Sequence, residues 1–175
     1  MKQATSVALS VGVLVWCWSY IGLTYFEPHV LVWITFLTWA SFYAAGGGRN
    51  GLAKSISSGI VGVLASAAVL WVDNRLSSGA YHLLVLSLLL GILGWFLCVI
   101  SAIRLLSSIP ASFIGASAFF GAGSPMDIKL VWVLTSVVVG AILGFTSQTL
   151  AGLLSVTGGE AISAPRRRRQ GFWRS

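Results

Sequence analysis

Apolar runs near twenty residues long, separated by short polar or turn-forming breaks, recur along the chain from Val7 to Leu154. A run of that length is what an α-helix needs to cross a hydrocarbon core about 30 Å thick. Period-two alternation of polar and apolar positions is absent, which argues against an outer-membrane barrel. The pattern predicts an all-α membrane protein of six spans: Val7–Phe26, Val30–Ala45, Leu52–Trp71, Ala80–Leu105, Ala111–Ala122 and Ile128–Leu154. Turn chemistry marks the breaks, at Glu27-Pro28, Gly46-Gly47-Gly48, Asp73-Asn74, Pro110 and Gly123-Ser124-Pro125. The segment after Lys2 begins like a signal peptide. No small-residue cleavage site follows it, and the run continues through Trp16, Trp18, Tyr20, Tyr25 and Phe26, so it reads as a retained first span.

Within this pattern a motif occurs twice. Trp39-Ala40-Ser41-Phe42-Tyr43-Ala44-Ala45-Gly46-Gly47 reappears as Pro110-Ala111-Ser112-Phe113-Ile114-Gly115-Ala116-Ser117-Ala118. Each copy occupies the middle span of three, and a half with an odd number of spans emerges on the opposite side. The expectation is therefore two inverted three-helix halves, residues 1–74 and 75–156, with short second and fifth spans. Ala40 pairs with Ala111, Ala44 with Gly115 and Gly47 with Ala118. Their spacing of four and then three puts them on one helical face. Lys54 and Lys129 are each expected to open a third helix soon after the motif. As helices the second and fifth spans reach only about 24 and 18 Å. Short, glycine-interrupted middle spans in inverted halves are an architecture of small channels and transporters. A small-residue face serves plain helix packing equally well.

Charge orients the chain. Lys2, Arg49, Lys54, Arg104, Arg166, Arg167, Arg168, Arg169 and Arg174 fall on the side of the termini, whereas Arg75 and Lys129 fall opposite with Glu27, Asp73 and Asp127. The positive-inside rule makes both termini cytoplasmic. Residues 157–175 read as a disordered basic tail, whose Arg166, Arg167, Arg168 and Arg169 would each gain about 1 kcal/mol against anionic lipid. A nucleic-acid partner would need an accompanying fold, and none is expected.

Composition narrows the chemistry. The chain is 57% hydrophobic and 9% charged, with four acidic residues. No Asp, Glu, Lys or Arg falls at the predicted bilayer centre, which speaks against a proton- or ion-coupled pump. Phosphate-binding glycine patterns, catalytic triads and paired carboxylates are missing, so no enzyme activity and no cofactor are expected. Two histidines are too few and too scattered for a metal site. Cys17 and Cys98 lie inside spans without CxxC spacing.

What remains in the spans is hydroxyls, and a lumen of hydroxyls, carbonyls and aromatic constrictions suits a small polar solute moving passively. The expected constriction is Ser41, Phe42, Ser112 and Phe113, with Gly115 and Ser117 beside it; Glu27, His29 and His82 would form an outer mouth. In the competing picture serine and threonine bond back to their own helices. Gly140 and Gly144 make a further close-packing face, within the bundle or between protomers of a homo-oligomer.

The stretch from Trp39 to Leu52, and Ile109-Pro110-Ala111-Ser112-Phe113-Ile114-Gly115-Ala116 followed by Phe119-Phe120-Gly121, resemble the YcdZ-like bacterial inner-membrane family, a domain of unknown function. The resemblance runs from the first span to the sixth and leaves out the arginine-rich tail. It implies a multi-spanning inner-membrane protein and carries no established activity. Formate and nitrite channels are similar in having six spans in two inverted halves, but their central pore histidine is not recognisable here. That analogy concerns fold alone. The expectation is a passive channel or facilitator for a small polar solute; the alternative is a non-transporting accessory or envelope-stress protein acting through protein or lipid contacts.

Overall fold

Helix starts and stops follow most of the turn-forming breaks. The computed structural model describes residues 3–76 and 81–157, and all regular structure within them is helical. Helix α1 (Gln3–Ile21) continues into a π-helical turn, Gly22–Phe26. It is followed by α2 (Val32–Ala44), α3 (Gly48–Leu76), α4 (His82–Ile100), a short 3-10 turn at Arg104–Leu106, α5 (Ile109–Gly121) and α6 (Lys129–Thr157). Four segments are long and apolar enough to cross a membrane: Thr5–Phe26, Gly48–Leu76, His82–Ile100 and Lys129–Leu154. Large apolar side chains such as Trp16, Leu83, Trp95 and Leu153 point outward from them. An outward apolar face on membrane-length helices is that of an integral membrane protein.

Several boundaries differ from the sequence expectation, and α3 runs through the Asp73-Asn74 pair, expected as a break, to Leu76, with Asp73 buried within it. The fourth helix stops at Ile100 rather than Leu105. Beyond it Ser101 Oγ donates to the Cys98 carbonyl (2.6 Å) and Ser107 Oγ to that of Arg104 (3.0 Å), local bonds that offer the backbone an alternative to the helix. Lys54 does not open the third helix. Gly48 does, with its N–H donating to Gln148 Oε1 of α6 at 2.6 Å. Lys129 does open α6, its N–H bonded to Asp127 Oδ1 at 3.0 Å.

Helices α2 and α5 have 13 residues each, or about 20 Å. Helices α2, α3, α5 and α6 form the centre, α3 packing chiefly on α5 and α2 chiefly on α6. Helix α1 lies outside on α6 and α4 outside on α3. Fully buried Ile34, Val63, Phe119, Val133 and Val137 fill the middle. Leu93, Leu97 and Ala116 form a second cluster that seats α4.

Glycines set the distances between the central helices. A Cβ on Gly62 of α3 would lie 2.0 Å from the Ser112 carbonyl oxygen of α5, and one on Gly115 would lie 2.0 Å from the Gly59 oxygen. On the other side a Cβ on Gly140 of α6 would lie 2.3 Å from the Thr35 oxygen of α2, and one on Gly144 2.7 Å from the Phe42 ring. Only the missing side chain permits such approach.

Candidate functional site

The sequence-predicted constriction residues lie in these two seams, in differing surroundings. Ser41 is buried in α2, where its hydroxyl donates to the Thr38 carbonyl (2.8 Å) and lies 2.5 Å from Ser55 Oγ of α3. Phe42 is fully buried, edge-on to Tyr43 and Phe145 and against Gly144. Ser112 is buried with its carbonyl against Gly62, and Gly115 is buried against Gly59. Phe113 instead points outward at 43% exposure, near Gly94 of α4, and Ser117 is exposed.

The two Ser-Phe pairs therefore do not face one another as equivalents. Ser41 sits near the end of α2 and Ser112 in the first turn of α5. The turns closing these helices match in another register. Amide–carbonyl bonds from Ala45 to Ser41, Gly46 to Tyr43 and Gly47 to Phe42 recur as Ala122 to Ala118, Gly123 to Phe120 and Ser124 to Phe119. Phe42 thus corresponds to Phe119, and both are fully buried.

Of the outer-mouth residues, His82 Nε2 lies 3.0 Å from Asp73 Oδ2, joining α4 to a buried carboxylate on α3. His29 is exposed, its ring edge-on to Trp132 at 4.9 Å, and Glu27 is exposed. The described contacts do not join Glu27 or His29 to His82. Arg166, Arg167, Arg168 and Arg169 lie outside the described residues.

Ser147, a hydroxyl the sequence pattern did not single out, organises the interior together with Ser10 and Thr35. Ser147 Oγ donates to the Gly144 carbonyl (2.7 Å) and accepts from Trp39 Nε1 (3.0 Å) and from the Tyr43 hydroxyl (2.8 Å). The Ser147 carbonyl accepts from Ser10 Oγ of α1 at 3.0 Å. Trp18 Nε1 of α1 donates to Thr35 Oγ1 at 2.8 Å. The spacing Gly140, Gly144, Ser147, Ala151 places all four on one face of α6, and that stripe was the available signal for Ser147.

Where α2 begins, the Leu31 N–H donates to Ser136 Oγ of α6 at 2.7 Å, and that hydroxyl donates on to the Trp132 carbonyl. Where α5 begins the chemistry changes. Ser108 precedes α5 as Leu31 precedes α2, and its buried hydroxyl has no partner among the described residues; nor has that of Ser58 on α3. The two stretches run side by side. Ser57 Oγ donates to the Leu105 carbonyl at 2.7 Å, and a Cβ on Gly59 would meet the Ala111 carbonyl at 3.8 Å.

Two apolar grooves lie elsewhere. One of about 400 Å³ is lined by Val11, Val15, Phe36, Trp39, Ala40 and Tyr43; another of about 460 Å³ runs between α3 and α4 past Leu64, Ala68 and Trp95. Neither is lined by a predicted constriction residue. Among the described residues no three His, Cys, Asp or Glu side chains cluster as a metal site requires.

Comparison with known proteins places this architecture in a family. Residues 8–152 match the model of the family described as "Protein of unknown function (DUF1097)". The "Inner membrane protein YcdZ" of Escherichia coli is 32% identical over 150 residues, covering 85% of each chain. Its namesake from Salmonella typhimurium is 31% identical over 152 residues, covering 85% of this chain and 87% of that one. "Uncharacterized protein YahC" of Escherichia coli is 28% identical over 98% of this chain and all of its own. No solved structure matches. With its membrane-length helices and a family match running from α1 into α6, the chain belongs to the DUF1097 family, alongside the YcdZ inner-membrane proteins.

Proposed function

We propose that this protein is a passive facilitator for a small polar solute in the bacterial inner membrane, built from two inverted three-helix halves with six spans. Location in the inner membrane is carried over from the YcdZ relatives. The inverted halves are supported by the equal 13-residue lengths of α2 and α5, by the recurring turn bonds, and by the paired contacts of Gly62 on Ser112 and Gly140 on Thr35.

The observation that carries the solute reading is that two of the three buried, unpartnered hydroxyls among the described residues, Ser58 and Ser108, lie in the α3–α5 seam; the third is Ser6 of α1. Leaving a buried hydroxyl unbonded costs about 1–3 kcal/mol. Plain packing would favour alanine at both positions. A solute with hydrogen-bonding groups, passing between α3 and α5, offsets that cost. The tight Gly62 and Gly115 approaches close the same seam, so passage requires the halves to part. The reading assigns no catalysis and no cofactor.

Stopped-flow light scattering on proteoliposomes, challenged in turn with water, urea, glycerol, formate and ammonium, tests it. One solute is expected to cross faster than in empty liposomes. In Ser58→Ala/Ser108→Ala that flux falls roughly fivefold for each hydrogen bond lost, while the melting temperature holds or rises. Flux at the empty-liposome level from folded protein would reject the facilitator and favour an accessory role.

A further inference from the structure

The start of α3 carries a cavity with two basic side chains in its lining, apart from the Ser58 and Ser108 hydroxyls. It has a volume of about 250 Å³ and is lined by Asn50, Ala53 and Lys54 of α3 with Arg104 and Leu105 of the connector before α5. Ser57 Oγ bridges its walls, sharing one proton between the Leu105 carbonyl and the Ala53 carbonyl of its own helix, each at 2.7 Å. Two cations thus share one recess, and neither has an ion-pair partner among the described residues. Asp73, on the same helix, is about 28 Å away along the axis. Helix α3 has 29 residues, or about 43 Å, more than a 30 Å hydrocarbon core. Its first turns therefore project into the headgroup layer. Lys54 is half-buried and lines the recess.

We propose that this recess binds a phosphate-bearing anion, and that the occupant is the headgroup of an anionic phospholipid. Two cations converging from separate segments recognise a localised negative charge. The Asn50 carboxamide adds a neutral donor, and Leu105 offers an apolar edge on the side where acyl chains would run. At the other end of the molecule the cations are Arg75, over the Trp71 ring at 5.1 Å, and Lys129, and they lie with Glu27, Asp73 and Asp127.

Native mass spectrometry of the full chain, released from micelles doped with dioleoyl-phosphatidylglycerol or dioleoyl-phosphatidylcholine, tests the site. Both lipids carry a phosphate, and only the first is a net anion. The native protein is expected to retain phosphatidylglycerol preferentially. Lys54→Gln/Arg104→Gln should weaken retention roughly ten- to thirtyfold, and Arg104→Gln alone, at an exposed position that leaves folding untouched, about fivefold. Lys54→Arg/Arg104→Lys should preserve it. Substitution of Arg166, Arg167, Arg168 and Arg169 by Gln in the full chain separates the recess from the tail and should leave the retained lipid in place. Unchanged retention in Arg104→Gln and in the double variant, or loss caused by the tail variant alone, would overturn the proposal. Inorganic phosphate forms the third arm. Displacement of the lipid by millimolar phosphate would assign the recess to a soluble anion and overturn the lipid assignment.

Discussion

At Gly62 and Gly140 a single added methyl group would land 2.0 and 2.3 Å from a carbonyl oxygen of the facing helix. Neither carbonyl belongs to a flexible side chain, so the helices themselves would have to move. Gly62→Ala and Gly140→Ala should each destabilise the fold by about 1–3 kcal/mol, read as a lowered melting temperature in detergent. Gly91→Ala, with nothing within 4 Å of the new methyl, should stay within about 0.5 kcal/mol. The importance of small residues was legible in the sequence at this scale, and Gly115 is indeed at a close approach. The partnering of Ser41-Phe42 with Ser112-Phe113 was not. Ala-Ser-Phe strings recur in membrane helices made of few residue types, and a three-residue match cannot fix register. Phe42 is sealed against Gly144 while Phe113 faces outward. The backbone turns, which match Phe42 to Phe119, depend on hydrogen bonds that the letters do not spell out.

Short helices hold their places by polar ties as well as by packing. Ser147 of α6 binds Trp39 and Tyr43 of α2 through its hydroxyl and Ser10 of α1 through its carbonyl, joining three helices at one point. Ser147→Ala removes the acceptor for the buried Trp39 N–H and should cost about 1–3 kcal/mol. Trp39→Phe in the same background removes the orphaned donor, so the double variant should lose less than the two single losses combined. Additive losses in thermal melts would show that the tie contributes nothing. The brevity of α2 and α5 was legible from Gly46-Gly47-Gly48 and Gly123-Ser124-Pro125. Gly46 and Gly123 adopt φ of 96° and 85°, the left-handed geometry that ends helices. The end of α4 was not legible, because Leu105 and Leu106 extend the apolar run past the point where Ser101 turns the chain aside.

At the scale of the molecule, the α3–α5 and α2–α6 seams each close on glycines, and one seam differs from the other in its polar chemistry. Ser136 satisfies Leu31 in one seam, while Ser58 and Ser108 are left unbonded in the other. Composition and span length made the membrane class plain from sequence. The seams were hidden, because a buried hydroxyl and a lipid-facing one look alike in a string of letters. A route for solute between the halves requires that those halves be inverted, with α2 and α5 crossing the bilayer despite their 13 residues. Labelling with a membrane-impermeant maleimide, in a background with Cys17 and Cys98 replaced by serine, tests that requirement directly. Asp127→Cys should label in intact bacteria and Arg49→Cys only after permeabilisation. Labelling of both from the same side would mean that α2 and α5 turn back within the membrane, and would contradict the inverted architecture.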